Sequence, residues 1–402
     1  MSVRILLECV DSFGRMAGLR ANVLKSNIYM AGVKEPDRSE ILRMCGFRQG
    51  SFPFRYLGIP LAVARLRESD YSVLINAISR KISAWPRQTL SYTGKLELIR
   101  SVVQGVECYW LSVFPITCGV IDKINSVCRS FMWTSKHHSI AWSKICSPIE
   151  DGGLGIRDLR AWNKALLTKT LWNIHINKDT LWVRWVHHYY WNDVMDWRWR
   201  KDDIVLIKKL VEIRDELLAR EGSWDAVVAR LSIWFGTTRG LSEAYMSFLP
   251  RAGRWPWKPF LWRPHILPKH RFALWIFAHG KCLTKDRQPY ILDKSCGLCG
   301  TVNETAQHVF FECTASTQLW VRLWEWLDVQ CMARSMKGLL RLLRRRFRGT
   351  TMRARRCHSG IAALVYHIWS ARNRALFDSE RPDVEVIFRK ILIHVHRTLA
   401  AG

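Results

Sequence analysis

The chain has 402 residues, of which 49% are hydrophobic and 24% charged, with a formal net charge of +28. This length suits two or three domains with real apolar cores, and so strong a positive field selects anionic partners, with nucleic acid phosphates favoured over a membrane surface. No run of about 18 apolar residues appears and the N-terminus lacks a signal-peptide pattern, which implies an intracellular protein of the nucleus or cytoplasm, with no membrane partner and no evident small-molecule substrate.

Residues 1–62 read as a broken beginning rather than a domain. Ile5-Leu6-Leu7 and the stretch from Phe13 to Leu19 carry apolar groups in need of a partner, and 54–61, with Gly58 and Pro60, predicts a short hairpin. Residues 63–200 are helical by pattern. Leu74, Ile75, Ile78, Ile82 and Trp85 recur at threes and fours before Pro86, and further helices are expected over 93–108, 120–133 and 159–176. Between the last two, Asp151-Gly152-Gly153-Leu154-Gly155-Ile156 lacks the Lys-Ser/Thr of a phosphate-binding loop and follows no strong strand, so it reads as a packing turn. Trp182, Trp185, Trp191, Trp197 and Trp199 form an aromatic stretch that either fills an irregular core or stacks bases.

Residues 201–254 mix Asp202-Asp203, Lys208-Lys209 and Glu212 with apolar groups and read as a polar helical spacer. Pro256, Pro259, Pro264 and Pro268 then mark a boundary, and a helix over 272–280 leads into the most specific motif of the chain. Cys296, Cys299, His308 and Cys313 are spaced C-x2-C-x8-H-x4-C. Two thiols on a Gly297/Gly300 turn, followed by an imidazole and a third thiol one helical turn apart, can close a tetrahedron around Zn²⁺. Four protein ligands leave no position for an activated water, so the ion would be structural; the competing reading is ordinary buried cysteines with an unrelated histidine. His279, Cys282 and Cys331 stand alone and read as packed side chains. The other cysteines have no regular spacing, which suits free thiols in a reducing compartment.

Residues 331–402 form a basic helical tail with a closing helix over 362–377. Eight arginines, Arg341, Arg344, Arg345, Arg346, Arg348, Arg353, Arg355 and Arg356, fall in sixteen residues without an acid. On a helix Arg341, Arg344, Arg345 and Arg348 share a face while Leu339, Leu342, Leu343 and Phe347 face inward. The arginines are either a solvated surface or a set of phosphate contacts.

Several of these segments resemble one family, the reverse transcriptases of plant LINE-type non-LTR retrotransposons. Gly18-Leu19, Asn22 and Lys25-Ser26 resemble the segment after the polymerase aspartates, and Tyr56-Leu57-Gly58-Ile59-Pro60-Leu61 resembles the primer-grip hairpin. Leu90-Ser91, Gly94-Lys95 and Leu98-Ile99 resemble the helical thumb. Gly152-Gly153-Leu154-Gly155-Ile156 with Leu159, Asn163 and Ala165-Leu166 resembles the connection region. From Pro268-Lys269 through Thr284-Lys285-Asp286-Arg287, the four metal-ligand candidates, Glu304-Thr305 and Trp320, the chain resembles the family's zinc-binding domain, placed at 255–330.

The resemblance implies a mainly α fold: a helical thumb and connection bundle, then a small zinc-binding module with a short hairpin and flanking helices. It also implies phosphate contacts at Arg271, Lys281, Lys285 and Arg287, beside the arginines at 341–348. The family's Tyr/Phe-x-Asp-Asp turn belongs upstream of Gly18, and Asp202-Asp203 is read as solvated charge, so no catalytic residue is assigned and Lys25, similar to a lysine near the leaving pyrophosphate, is idle. No ribonuclease H carboxylate cluster follows Trp369-Ser370-Ala371-Arg372-Asn373. The expectation is a truncated retrotransposon product that binds zinc and an RNA or DNA backbone without polymerising. The alternatives are the C-terminal part of a polymerase whose aspartates are encoded upstream, and a nonfunctional pseudogene product or protein-interaction module.

Overall fold

The computed structural model describes residues 2–400 except 53, 57–58, 62–65, 87–88, 134–139, 191–196, 198–202, 251–252 and 331–332. The architecture is mainly α, as expected, and the described strands form two small two-stranded ladders. One is parallel, Asn27–Ile28 with Arg48–Gln49; the other is the expected hairpin, with Phe54 opposite Leu61 and Tyr56 opposite Ile59. Leu57 and Gly58, between the two strands, lie outside the described residues, as do Trp191, Trp199, Asp202 and Cys331. The first helix, Ser2–Ala17, leaves Ile5, Leu6, Val10, Phe13 and Met16 exposed.

The helices follow the periodic stripes read from sequence. Ser72–Ser83 buries Leu74, Ile78 and Ile82, and Cys118–Met132 buries Val120, Ile121, Ile124, Cys128, Phe131 and Met132. The helix expected over 93–108 is longer and irregular. It starts at Tyr92, capped by the Ser91 hydroxyl accepting from the Gly94 amide, widens into a π-type turn at Ile99–Val103, and resumes as Gln104–Val113.

Apolar cores and sequence segments are cut at different places. The larger core runs from Ile59 through Trp162 and continues from Trp257 to Val395, so the thumb-like helices and the cysteine-rich module share one interior. Tyr92 stacks on Phe272 at 5.1 Å, and the Thr93 hydroxyl donates to the Pro268 carbonyl. The smaller core is built by Ala165, Leu167, Leu171 and Ile174 with Ile207, Leu210, Val211, Ile213, Leu217, Val227, Leu231 and Trp234. Helix Leu159–His175 stitches the two, its first turns in one core and its last turns in the other.

Two expectations change accordingly. Residues 205–248 are helical, in Val205–Glu221, Trp224–Phe235 and Gly240–Phe248, but they pack as a core rather than span as a polar spacer, because apolar residues at threes and fours persist between the charges. The C-terminal part is also no tail. Helix Met352–Phe377 is long and largely buried, with Ser359, Gly360, Ala362 and Ala363 small enough for neighbouring helices to approach closely. Of the tryptophans, Trp197 is core and Trp182 packs against it, while Trp185 stacks on Trp182 at 5.3 Å.

The glycine turn at 152–155 is a packing joint. Gly152 has φ +85°, a left-handed backbone that a side chain would strain. Its carbonyl accepts from Trp275 Nε1 and His279 Nε2, both at 2.8 Å, tying the N-terminal helices to helix Pro268–Ala278. Burial lowers the pKa of His279, against the pull of this bond, which keeps the ring a neutral donor. A Cβ on Gly153 would run into the Ser147 carbonyl oxygen. We therefore expect Gly153→Ala to destabilise the chain by about 1–3 kcal/mol. Gly105→Ala, where a Cβ meets open space inside a helix, should gain about 0.5–1 kcal/mol. Chemical denaturation of the two variants measures both, and a neutral Gly153→Ala would reject the joint.

Candidate metal centre and the arginine cleft

Cys296, Cys299, His308 and Cys313 converge, with one ligand atom from each lying within 4.8 Å of the others. A tight loop positions the first two. The Cys296 amide donates to the Val302 carbonyl at 2.7 Å, the Gly300 amide donates back to the Cys296 carbonyl at 2.8 Å, and Ser295 bridges Asn303. Only Gly300 of the two loop glycines takes a positive φ. The Leu298 amide points at the Cys296 sulfur and the Thr301 hydroxyl at the Cys299 sulfur, which favours thiolates at both. His308 opens the wide turn His308–Glu312, and Cys313 follows it at the N-terminus of helix Thr314–Trp326. The turn puts His308 Nε2 at 3.3 Å from the Cys299 sulfur.

The electrostatics are those of donors held too close to remain neutral thiols. Its bond to Cys313 chiefly, against burial, draws the Cys296 pKa down to about 5, while the same contact pushes Cys313 up. His308 is raised; burial opposes this, but the Cys299 and Cys296 sulfurs outweigh it. A dication resolves the conflict by taking all three sulfurs as thiolates and the imidazole as neutral. The donor set, three sulfurs and one nitrogen with Cys296 and Cys313 fully buried, fits a closed tetrahedral site.

Behind this loop lies an interaction that sequence reading missed. Glu304, fully buried, is met by Arg372, whose Nε lies 3.1 and 3.0 Å from the two carboxylate oxygens and whose Nη2 also donates to Oε1. The same carboxylate accepts from the Lys285 amide at 2.8 Å and from the Gly297 amide, inside the cysteine loop, at 3.3 Å. Arg372 also lies over the Trp369 ring. Burial opposes ionisation of Glu304, but Arg372 and the two amides carry its pKa below the ordinary 4.5.

The basic residues expected beside the metal divide into two sets. Lys285 is buried and pairs with Asp293 at 3.0 Å, and Arg271 is half-buried, with Nη2 donating to the Arg263 and Ile266 carbonyls. Arg287 is exposed but donates to the Gly280 carbonyl, and Lys281 is exposed. Cys282 is buried, its thiol pushed up to about 12 by burial.

The arginine run behaves as the helical pattern implies. Helix Met336–Arg346, capped by Ser335, buries Leu339, Leu342 and Leu343, Phe347 is buried just beyond, and Arg341, Arg344, Arg345, Arg346 and Arg348 are all exposed. Among the described residues none of the five has a carboxylate partner. Arg344 and Arg348 line, together with Arg254, Arg263, Trp255 and Phe260, an open cleft of about 420 Å³. The residues at 254 and 263 were not singled out from sequence, since they lie some eighty positions from the run.

Residues 240–320 match the family model described as zinc-binding in reverse transcriptase, a span that begins and ends earlier than the expected 255–330 and holds all four ligand candidates. A protein of Arabidopsis thaliana named, provisionally, as a ribonuclease H protein is 29% identical over 147 residues, 35% of this chain and 24% of that protein. An uncharacterized mitochondrial protein of Arabidopsis thaliana is 35% identical over 88 residues, 20% of this chain and 57% of its own length. The matched segments thus span about a quarter and a little over half of these relatives. These matches support the resemblance to the C-terminal part of a plant retrotransposon reverse transcriptase.

Two outcomes test the site. Stripping the metal with a chelator, or Cys299→Ser, should melt residues 285–330 first, because structural zinc contributes on the order of 10 kcal/mol of binding free energy; a melting curve unchanged by chelator would reject it. Arg372→Met should cost about 3–5 kcal/mol by leaving a buried carboxylate unpaired, and Glu304→Gln with Arg372→Met together should cost less than the two summed. Because the folded-state pKa of Glu304 lies below 4.5, its contribution is fully present above that pH and is lost as pH falls through the lowered value. Acid titration of wild type against Glu304→Gln, followed by circular dichroism, measures this.

Proposed function

We propose that the chain acts as a nucleic-acid-holding part of a retrotransposon reverse transcriptase, with Zn²⁺ in the Cys296, Cys299, His308 and Cys313 site as a structural ion and no catalytic step assigned to its own residues. The observation that carries this reading is the cleft in which Arg254, Arg263, Arg344 and Arg348 converge without a carboxylate. Four guanidiniums held together repel one another, and phosphate oxygens are the partner that relieves this while using their forked donors. Trp255 is held flat by stacking on His279 at 4.6 Å, so this part of the cleft lining is rigid. The metal site fits a supporting role: it fixes the loop behind which Glu304 anchors helix Met352–Phe377, and that helix packs against the helix carrying Arg263's neighbours Pro268 and Arg271.

A second reading, that the chain works as one portion of a complete polymerase, draws on the exposed apolar face of helix Ser2–Ala17, which is suited to packing against further protein.

Fluorescence anisotropy with a labelled single-stranded oligonucleotide over a salt series tests the binding. If the four cleft arginines meet phosphates, log Kd should change with log salt at a slope of about 3, following roughly 0.7 per neutralised phosphate. Arg344→Ala with Arg348→Ala should reduce that slope by about half and weaken binding across sequences alike. Binding unchanged when Arg344, Arg345 and Arg346 become Glu would overturn the proposal.

A further inference from the structure

A second cluster of ligating side chains lies outside the cysteine site. His270, on helix Pro268–Ala278, His367, on helix Met352–Phe377, and His394, on helix Val384–Ala400, bring one ring nitrogen each to within 4.8 Å of the other two. His270 and His367 are buried. His394 stacks on His367 with centroids 5.0 Å apart and lies tilted against His270 at 4.9 Å. No carboxylate or cysteine is part of the group.

Hydrogen bonding accounts for only part of this arrangement. A neutral imidazole has one N–H donor and one lone pair, and buried ring nitrogens normally find a partner for each. Here His367 Nε2 and His394 Nδ1 share a single bond of 2.9 Å, and His270 Nε2 is buried with no hydrogen-bond partner among the described residues. Burial and nearby cations lower the pKa of all three rings. Burial first, then His367, His394 and Lys269, bring His270 down to about 2, and burial with the neighbouring cations brings His367 down to about 3. Three imidazoles from three helices, one of them with an unpartnered ring nitrogen and with no acid in the group among the described residues, are the donor set of an all-histidine metal site.

We propose that His270, His367 and His394 form a second metal site, taking a transition-metal dication that prefers imidazole nitrogen, with Zn²⁺ the first candidate. Bonds of about 2.0–2.1 Å at tetrahedral angles place ligand nitrogens roughly 3.4 Å apart. The 2.9 Å pair therefore opens slightly and the wider pairs close, within the reach of side-chain rotation. The tautomer of the His367–His394 pair changes so that both lone pairs face the ion. Lys269, Lys390, Arg374 and Arg397 surround the cluster. Their charge makes this site weaker than the thiolate site and leaves the hard cations Mg²⁺ and Ca²⁺, which need oxygen donors, unbound. The bound ion would pin helix Val384–Ala400 to the zinc-binding domain.

The test is metal stoichiometry of the untagged full chain, loaded with Zn²⁺, desalted and measured by elemental mass spectrometry. Two ions per chain are expected, with one retained when His270→Gln and His394→Gln are combined and the far-ultraviolet circular dichroism is native. One ion in the wild type, or two in that variant, overturns the proposal. Should the variant not fold, cobalt titration of the wild type decides. The first equivalent should bring intense thiolate-to-metal charge transfer, and the second only weak visible bands of nitrogen ligation. A second equivalent that is absent, or that adds further thiolate charge transfer, overturns the site.

Discussion

The ion pair between Glu304 and Arg372 is the constraint on which the C-terminal half depends. A carboxylate and a guanidinium have both been taken out of water, and such a pair is tolerable only if nearly every lone pair and donor is used. Glu304 uses its lone pairs on Arg372 and on the amides of Lys285 and Gly297. Three chain segments are thereby held at one point: the cysteine loop, the segment leading to it, and the long helix behind. A bound dication would fix the front of the loop, and the carboxylate fixes its back. The loop has little helix or strand of its own, so neither restraint is replaceable by local hydrogen bonding.

A second joint carries that rigidity to the N-terminal half. The Gly152 carbonyl accepts from Trp275, on helix Pro268–Ala278, and from His279 at its C-terminal cap, and Trp255 lies flat on the second of these. Trp255 also lines the arginine cleft. The turn, the ring stack and the cleft are therefore one mechanical unit, in which Arg254 adjoins the packed Trp255 and the Arg263 guanidinium is held by its own Nε donating to the Pro259 carbonyl at 2.6 Å. Long cationic side chains need such a base, because they lose rotamer freedom when they bind and gain little from one another.

Much of this was legible from residues alone, and the limits have physical causes. The cysteine and histidine ligands were readable because four donors within eighteen residues must share a neighbourhood. Helix stripes such as Leu74, Ile78 and Ile82 were readable because their period is local. Glu304 and Arg372 do not read as a pair, since sixty-eight positions separate them and a buried charge looks like any surface charge in a sequence. His270, His367 and His394 were invisible for the same reason: each is an isolated histidine on its own helix. The stretch at 205–248 reads as a spacer because its charges mask an apolar stripe, and whether such a stripe finds a partner depends on helix Leu159–His175.

The distribution of charge explains why binding and folding should be coupled. A dication held by three thiolates and one imidazole would carry a net charge near −1, so the occupied cysteine site would be a small negative interior in a chain of +28. The arginines cannot enter that interior without carboxylates to meet them, and the one that does, Arg372, has Glu304 reserved for it. Apart from the buried Lys95, Arg214 and Lys285, most of the other cations stay on the outside, where mutual repulsion works against the compact state. A polyanion that neutralises several of them binds the folded arrangement of Arg254, Arg263, Arg344 and Arg348 better than a dispersed one, and so raises the stability of the fold by mass action. On this argument the salt dependence of the isolated chain's stability and that of its binding have opposite sign: salt screens the repulsion that loosens the fold, and it competes with the contacts that hold the ligand.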